Sequence, residues 1–393
     1  MQDNFITKLL ELKVDNRKTT VKTYDEKIII QTQLKQKGIR KCRNCNCKTH
    51  ILDYRERRIK EIPIAGKQTI IKLKVIRYIC PKCKKTYQKE PEFTQKHSRM
   101  TTRLMFELVH EYSKMKTLKQ ISKEYKVGPN TILRVLDQVK PSRKELGKVL
   151  AIDEFKGDSG KEKYQTSIAD PERKKLIDIL PNRKLDDLNK YFKTIPLKEK
   201  EKVKIFVSDM SQTWRNIKKI HFKESTHVID KYHYVRQITW AFENIRKSER
   251  KQMTREEGKY FYNSRRLLQK SPDKVTEEES IRIANMLIRN ERIRKAYKLK
   301  ERFYNYVMKS MSKEEALYRI ENWIALAKED KDPYWTQAIR AFTNWKEEIA
   351  NSFDHAYTNG YLEGKHNKIK QIKRITCTMP NFENFRRKIL LMG

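Results

Sequence analysis

Hydrophobic positions along the chain change their period twice, and each change marks a different kind of structure. Around residues 100–140 they recur at helical spacing. In TTRLMFELVHEYSK, Leu104, Leu108 and Tyr112 stand at i, i+4 and i+8, one buried helical face. The following stretch, TLKQISKEYKVGPNTILRVLDQV, predicts two short helices. The first runs from Leu118 to about Tyr125 with Leu118 and Ile121 inward, and Val127-Gly128 supplies the tight turn. The second starts at Pro129-Asn130-Thr131, where proline suits the first helical turn. Ile132, Val135 and Leu136 form its buried side, which leaves Asn130, Thr131 and Arg134 outward. That is the layout of a helix-turn-helix, whose second helix offers such side chains to phosphates and base edges.

From Lys148 the pattern becomes extended. KVLAIDEFKG is a short apolar run ending in Asp153-Glu154, EKYQTSIAD a second strand and KKLIDILPNR a third. LDDLNKYFKTI predicts a helix, VKIFVSDMSQTW a fourth strand ending in Asp209, and RNIKKIHF another helix. THVIDKYHYVRQ is then a fifth strand ending in Asp230. Three strands, a helix, a strand, a helix and a strand is the element order of an RNase H-like domain. In that fold the first and fourth strands are central neighbours, so Asp153 and Asp209 form a candidate pair. Glu154 competes with Asp153, but successive strand residues face opposite ways and only one can aim at the site. Asp153 is the choice.

Beyond the fifth strand helical spacing returns, with Ile238, Phe242 and Ile245 at i, i+4 and i+7. SIRIANMLIRNERIRKAYKLKERFYNYVMK continues the register, and Trp323, Trp335 and Trp345 sit among further helices. This predicts an all-helical insertion with the tryptophans in its core. The tail, YTNGYLEGKHNKIKQIKRI, places Glu363 between a glycine-containing turn and a basic helix whose Lys365, Lys368, Lys370, Lys373 and Arg374 would line DNA. Three carboxylates of this kind suit phosphodiester chemistry. Two Mg²⁺ ions about 3.5–4 Å apart stabilise the attacking and leaving oxygens of an in-line displacement, and such hard cations take oxygen ligands. Asp153, Asp209 and Glu363 are the expected ligands for Mg²⁺ or Mn²⁺.

Composition sharpens the picture. Ninety Lys and Arg against 50 Asp and Glu give a formal net charge of +40, spread over all 393 residues. Such an excess favours a polyanion, because neutralising phosphates releases condensed counterions. No run approaches the roughly 18 apolar residues of a membrane span, and the N-terminus lacks the pattern of a signal peptide. A cytoplasmic, nucleoid-associated protein is therefore expected.

Five of the six cysteines lie between positions 42 and 83. Cys42-x-x-Cys45 and Cys80-x-x-Cys83 are two knuckles, each able to fill two corners of a zinc tetrahedron. The strand TIIKLKVIRY runs straight into the second. Cys47 and His50 are close enough to the first to act as alternative ligands. A site closed by four thiolates is structural, because it leaves no open coordination position.

These readings predict a multidomain α+β protein. Residues 1–95 form a ribbon-like zinc-binding module, 96–145 the helix-turn-helix and 146–234 the first part of an RNase H-like α/β catalytic domain. Residues 235–350 form the helical insertion, and 351–393 carry the third acid. With these pieces in view, the sequence resembles the ISL-three family of bacterial insertion-sequence transposases over nearly its whole length. The resemblance rests on both cysteine pairs with EIPIAGKQTIIKLKVIRYICPKC, the helix pair, AIDEFKG, SDMSQTW, VIDKYHYVRQ and NGYLEGKHNKIKQIKR. It implies a DNA transposase that binds terminal inverted repeats and cleaves and transfers strands. Asp153, Asp209 and Glu363 would be its DDE triad, and double-stranded DNA at element ends and target its substrate. Pairing two ends implies a homodimer or larger assembly. Asp230-Lys231-Tyr232-His233 resembles the D/C-x-x-H signature of related transposases, giving His233 a role in orienting DNA or a metal-bound water. The alternatives are a transposase-derived DNA-binding regulator without catalysis, and a nuclease that cuts but never joins. One departure from the family is ITCTMPNFENFRRK, where Cys377 and Pro380 stand near the positions of the usual aromatic and glycine. Pro380 predicts an early end to the catalytic helix.

Overall fold

The computed structural model describes residues 2–35, 41–139, 145–262, 264–270, 274–376 and 379–392. Two compact units are built mainly on residues 1–142 and 143–391.

In the first unit, helix α1 (Gln2–Leu9) precedes strands β1 (Thr20–Thr23), β2 (Lys27–Gln33), β3 (His50–Ile64), β4 (Lys67–Ile79) and β5 (Thr86–Gln88). The sheet order is β1-β2-β4-β3, with β5 also paired to β4. Alternation in KIIIQTQ and KQTIIKLKVIRYI turns Ile28, Ile30, Ile71, Leu73 and Val75 into one core with Leu10, Leu12 and Ile59. The β3–β4 turn is the two-residue Ala65-Gly66, both at positive φ (50° and 74°), as a tight hairpin requires. The strand TIIKLKVIRY forms as expected. Its partner β3 is not legible in the sequence, because His50–Arg58 is exposed or half-exposed on both faces and shows no alternation.

Helices α2 (Thr102–Tyr112), α3 (Leu118–Tyr125) and α4 (Pro129–Asp137) follow. Leu104, Leu108 and Tyr112 are buried, as are Ile121, Ile132, Val135 and Leu136; Leu118 is half-buried. Thr117 and Gln120 close a capping box on α3, and Pro129 occupies the first turn of α4. The tight turn differs from the sequence expectation. Its left-handed residue is Lys126 (φ 53°), whereas Gly128 caps α4 with ordinary extended geometry. With Val127 buried, the turn is made two residues earlier than glycine suggested.

The second unit holds β6 (Val149–Ser159), β7 (Glu162–Asp170), β8 (Lys175–Leu180), α5 (Leu185–Lys193), α6 (Leu197–Glu201), β9 (Ile205–Ser208), α7 (Gln212–His221) and β10 (Thr226–Ile229). The sheet order is β10-β9-β6-β7-β8. β6, β7 and β8 form an antiparallel meander, while β9 and β10 run parallel to β6. Leu150, Ile152, Ile168 and Phe206 pack beneath Leu188, Phe192, Trp214 and Ile217 of α5 and α7.

Two strand ends move from their expected places. β6 does not stop at Asp153-Glu154, because β7 keeps pairing with it through Asp153↔Ser167, Glu154↔Thr166 and Phe155↔Gln165. Asp153 is therefore mid-strand. β10 ends at Ile229, and KYHYVRQ belongs to helix α8 (Lys231–Gln252) with Asp230 at its N-cap. The aromatic run favours a strand locally, but Tyr234, Ile238, Phe242 and Ile245 all enter one helical core.

That core belongs to α8, α9 (Arg255–Tyr260), α10 (Ser264–Leu268), α11 (Glu277–Arg289), α12 (Glu291–Asn305), α13 (Lys313–Glu329), α14 (Thr336–Asn344) and α15 (Lys346–Asp354). Asn290 breaks the long helical register, capping Ile293 N–H with its side chain. Trp323 and Trp335 are fully buried and donate their indole N–H groups to Leu299 O and Asp330 Oδ2, both at 3.1 Å. They are core residues with satisfied polar atoms. The chain then returns through α16 (Gly360–Thr376) and α17 (Phe382–Leu391).

α16 runs to Thr376, and Pro380 has a different task from breaking it. Gly160 N–H donates to Pro380 O at 2.8 Å, and Ser159 Oγ to Met379 O at 2.6 Å, docking this segment on the β6–β7 hairpin. Cys377 lies outside the described residues. Among the described residues, no helix is long and apolar enough to cross a membrane.

Candidate functional site

The cysteine centre is made by two turns of the same design. Cys42 N–H donates to Cys47 O and Asn46 N–H to Cys42 O; Cys80 N–H donates to Lys85 O and Lys84 N–H to Cys80 O. Asn46 and Lys84, each four residues past the first cysteine, share a φ of 57°. The turns close through Lys41↔Lys48 and Ile79↔Thr86. All four sulfurs lie within 4.8 Å of one another, and the Cys42–Cys83 and Cys45–Cys80 pairs are each 3.4 Å apart. Cys47 and His50 stand outside this cluster.

Tyr87 Oη lies 3.0 Å from Cys42 Sγ. Burial raises the Cys42 thiol, but hydrogen bonds from Tyr87 and the Asn44 and Cys45 amides outweigh it and bring it down to about 5. The Cys80 thiol is also lowered, chiefly by the backbone amide of Cys83. The Cys45 thiol moves the other way, to about 12, where the Cys47 amide that favours the thiolate is outweighed by the Cys80 sulfur and by burial. Four converging sulfurs, two of them with thiolate-favouring donors, suit a tetrahedral zinc.

The carboxylates gather at the sheet centre of the second unit. Strand pairing of β6 with β9 brings Asp153 and Asp209 together, and β10, beside β9, contributes Asp230 at its end. Asp153 is half-buried and its acid is pushed up to about 8, first by desolvation and then by the charges of Asp209 and Asp230. Asp209 is raised by burial, against the charge of His233, and its Oδ1 is buried with no hydrogen-bond partner. Asp230 is raised by burial too, with Glu363 contributing repulsion. Glu154 turns instead to Arg183, with which it forms an ion pair. Poorly solvated acids that oppose one another, one oxygen without a donor, form a site short of positive charge. A divalent cation fits that deficit.

Glu363 reaches this region from α16 and is itself exposed. Among the described residues, only the four cysteines bring three or more ligand atoms within 4.8 Å. The acids are thus neighbours without being closed into a ready cage.

Two residues missed in the sequence hold the parts in place. Asn359, buried just before α16, donates its backbone N–H to Asp230 Oδ1 at 3.1 Å and its Nδ2 to Ile152 O at 3.5 Å. His366 is buried one turn past Glu363. Its Nε2 lies 2.7 Å from Ser167 Oγ, its Nδ1 3.9 Å from Asp153 Oδ2, and its ring stacks on Phe155. Burial brings His366 down to about 4, so it is neutral at pH 7. The spacing Leu362, His366, Ile369 was the available signal, since it sets the histidine on the buried face of a helix. His233 Nε2 lies 3.8 Å from Asp230 Oδ2.

The basic residues divide. On α4, Asn130 and Arg134 are exposed and Thr131 is half-buried. On α16, Lys370 and Arg374 are exposed, whereas Lys365 and Lys368 are partly covered. Lys373 is engaged within the fold, bonded to Asp158 Oδ2 at 2.9 Å and Lys156 O at 3.3 Å.

A transposase family model of the ISL-three type matches residues 150–389, more than half of the chain. A second model, the zinc-finger of transposases IS204/IS1001/IS1096/IS1165, matches residues 40–83. The transposase for insertion sequence element IS1001 of Bordetella parapertussis is 20% identical over 347 residues, covering 85% of this chain and 84% of that protein. The transposase for insertion sequence element IS1557 of Mycobacterium tuberculosis is 26% identical over 121 residues, covering 31% and 27%. The zinc-finger match and the four-sulfur cluster together support a structural zinc. The chain belongs to the ISL-three family of DNA transposases.

Proposed function

We propose that this member of the family recognises the terminal inverted repeats of an insertion sequence and catalyses strand cleavage and transfer at their ends. The observation that carries the reading is the opposition of two half-buried acids, Asp153 on β6 and Asp209 just past the end of the paired strand β9, with Asp209 Oδ1 lacking a donor. A purely structural pair would be expected to neutralise itself with a lysine or arginine. The 5-4-1-2-3 strand order, with three antiparallel strands followed by two parallel ones, supports an RNase H-like assignment for this sheet.

Asp153, Asp209 and Glu363 would hold Mg²⁺ or Mn²⁺. Divalent cations bound there would neutralise charge on the scissile phosphate and make water or a 3′-hydroxyl a better nucleophile. The protein's own contribution is positional. β6 and the end of β9 would present two acids from paired strands, and His366 and Asn359 fasten α16, which would bring Glu363 to them. Asp230 receives the Asn359 amide and faces His233, which suits this pair to orienting the reacting groups. At the other end of the chain, α3 and α4 would act as a helix-turn-helix, with Asn130, Thr131 and Arg134 toward DNA. Lys365, Lys368, Lys370 and Arg374 would flank the acids with positive charge, and the net charge of +40 supports tight, salt-sensitive binding. The protein is expected to pair two element ends as a dimer or larger assembly.

The test is strand cleavage and joining on DNA carrying the inverted repeats that flank the coding sequence, with Mg²⁺ or Mn²⁺, beside Asp209→Ala. Metal-dependent cuts at the repeat ends that vanish in the variant support the triad, and joined products separate a transposase from a nuclease. Repeat-specific binding without cutting would instead indicate a DNA-binding regulator. Cutting that survives Asp209→Ala would overturn the site.

A further inference from the structure

Helix α8 leaves the sheet at Asp230 and buries Tyr234, Ile238, Phe242 and Ile245 in the insertion core. Its opposite face carries Tyr232, Arg236 and Trp240 at four-residue intervals, which stacks them on one side of the helix. Tyr232 is 61% exposed and Trp240 44%, so neither ring's main role is to fill a core. The Arg236 guanidinium lies between them, 3.8 Å from the Trp240 ring centroid and 5.9 Å from that of Tyr232. This cation–π ladder holds two large aromatic rings out in solvent in fixed orientations.

The same face continues into a groove of about 570 Å³ whose lining includes Asn244, Lys247, Arg250, Lys251 and Tyr334. From Tyr232 to Lys251 the track is about 28 Å long at the helical rise. Rigid aromatic faces followed by a basic groove are the two elements from which single-strand binding surfaces are made. Bases stack on the rings whatever their sequence, and lysine and arginine follow the phosphates.

We propose that this face of α8 binds an unpaired stretch of DNA, with bases on Trp240 and Tyr232 and phosphates along Lys247, Arg250 and Lys251. A paired duplex keeps its base faces stacked on each other and has none to offer. The track starts within one helical turn of Asp230 and His233, so it would take the nucleotides beside the scissile phosphate once they leave the duplex. The inference rests on the reading that the neighbouring acids cut DNA, and it adds which form of DNA is held and where.

The experiment compares two probes on the full zinc-loaded chain. One is an element-end duplex with a short single-stranded overhang carrying 2-aminopurine; the other is the blunt duplex of the same sequence. Wild-type protein should bind the overhang more tightly and quench its fluorescence. Trp240→Ala should weaken overhang binding about tenfold, the effect of losing one stacking ring, and leave blunt-duplex binding unchanged. Trp240→Phe should restore most of the difference. Because Trp240 is exposed, its variants should unfold at the wild-type temperature, and a lowered value would mean the ring is structural after all. Equal wild-type affinity for both probes, or equal loss on both, would overturn the track while leaving the transposase reading intact. Binding to neither probe would sink both.

Discussion

The backbone amide of Asn359 donates to Oδ1 of Asp230 across 129 residues of chain, at 3.1 Å. The helical insertion leaves the sheet at the second of these residues and comes back at the first. This one bond therefore brings the two ends of the insertion together, at the acids. Through its side chain Asn359 also reaches the carbonyl of Ile152, next to Asp153, so a single residue bridges β6, the start of α8 and the start of α16.

Asn359→Ala should therefore affect activity more than stability. Loss of the Nδ2 contact costs on the order of 1 kcal/mol, while the backbone bond to Asp230 persists. Cleavage should fall roughly 10–100-fold, as expected when a supporting contact to a metal-binding set is lost. Paired measurements of unfolding temperature and cleavage rate decide the matter. A large stability loss with proportionate activity loss would show that Asn359 is a fold residue only.

Asp153→Asn should stabilise the metal-free protein and abolish cleavage. The sign follows from the raised acid. Burial and Asp209 hold Asp153 up to about 8, from 3.8. Its contribution to stability is full below about pH 4 and is lost as pH rises through 8. Metal-free wild type should thus melt at a lower temperature at pH 8.5 than at pH 5. Asparagine removes much of that slope, a gain of roughly 2–5 kcal/mol at the alkaline end. Adding Mg²⁺ or Mn²⁺ should raise the wild-type melting temperature most at high pH, where the ligands are ionised. Scanning calorimetry at both pH values is the check, and parallel slopes for the two proteins would refute it.

Cys80→Ser should release the zinc and unfold the ribbon. Zinc content by metal analysis should be one per chain in the wild type and close to zero in the variant. Cys47→Ser and His50→Ala should leave it unchanged, because neither residue joins the four-sulfur cluster. Zinc lost equally from Cys47→Ser would mean the ligand set is wrong.

Arg386→Met should destabilise the second unit. Arg386 clamps the buried Asp178 of β8 with two bonds of 2.6 and 3.0 Å, fastening α17 to the sheet. Removing one partner of such a pair leaves a buried charge and costs about 3–5 kcal/mol. Urea unfolding should show it, and the double variant with Asp178→Asn should recover part of the loss. Zinc content should not change.

How far the sequence reached depended on the range of the interaction. Alternation in KQTIIKLKVIRYI, the Leu104–Leu108–Tyr112 spacing and the paired knuckles are local patterns, and each specified its element without help. The order of strands and helices from Lys148 onward was also local in origin, and it named Asp153 and Asp209 as partners before their strands were seen to pair. The strand β3 was invisible, since its outer half is exposed on both faces and is held by backbone pairing to β4 and by ion pairs such as Arg57–Glu90, with no apolar core to mark it. Likewise YHYVRQ carries the residues of a strand, and only the insertion core could make it a helix.

Asn359 and His366 illustrate the remaining limit. Nothing within a few residues of either indicates an acid more than a hundred positions away. Composition, periodicity and motif spacing report what a segment prefers by itself. Which side chains become buried neighbours, and so which acids oppose each other, is decided when distant strands and helices close on one core. By itself the sequence determined the chemistry available to this protein. The tertiary structure decided the geometry in which it is held, because burial and the electrostatic opposition it creates exist only once the chain has folded.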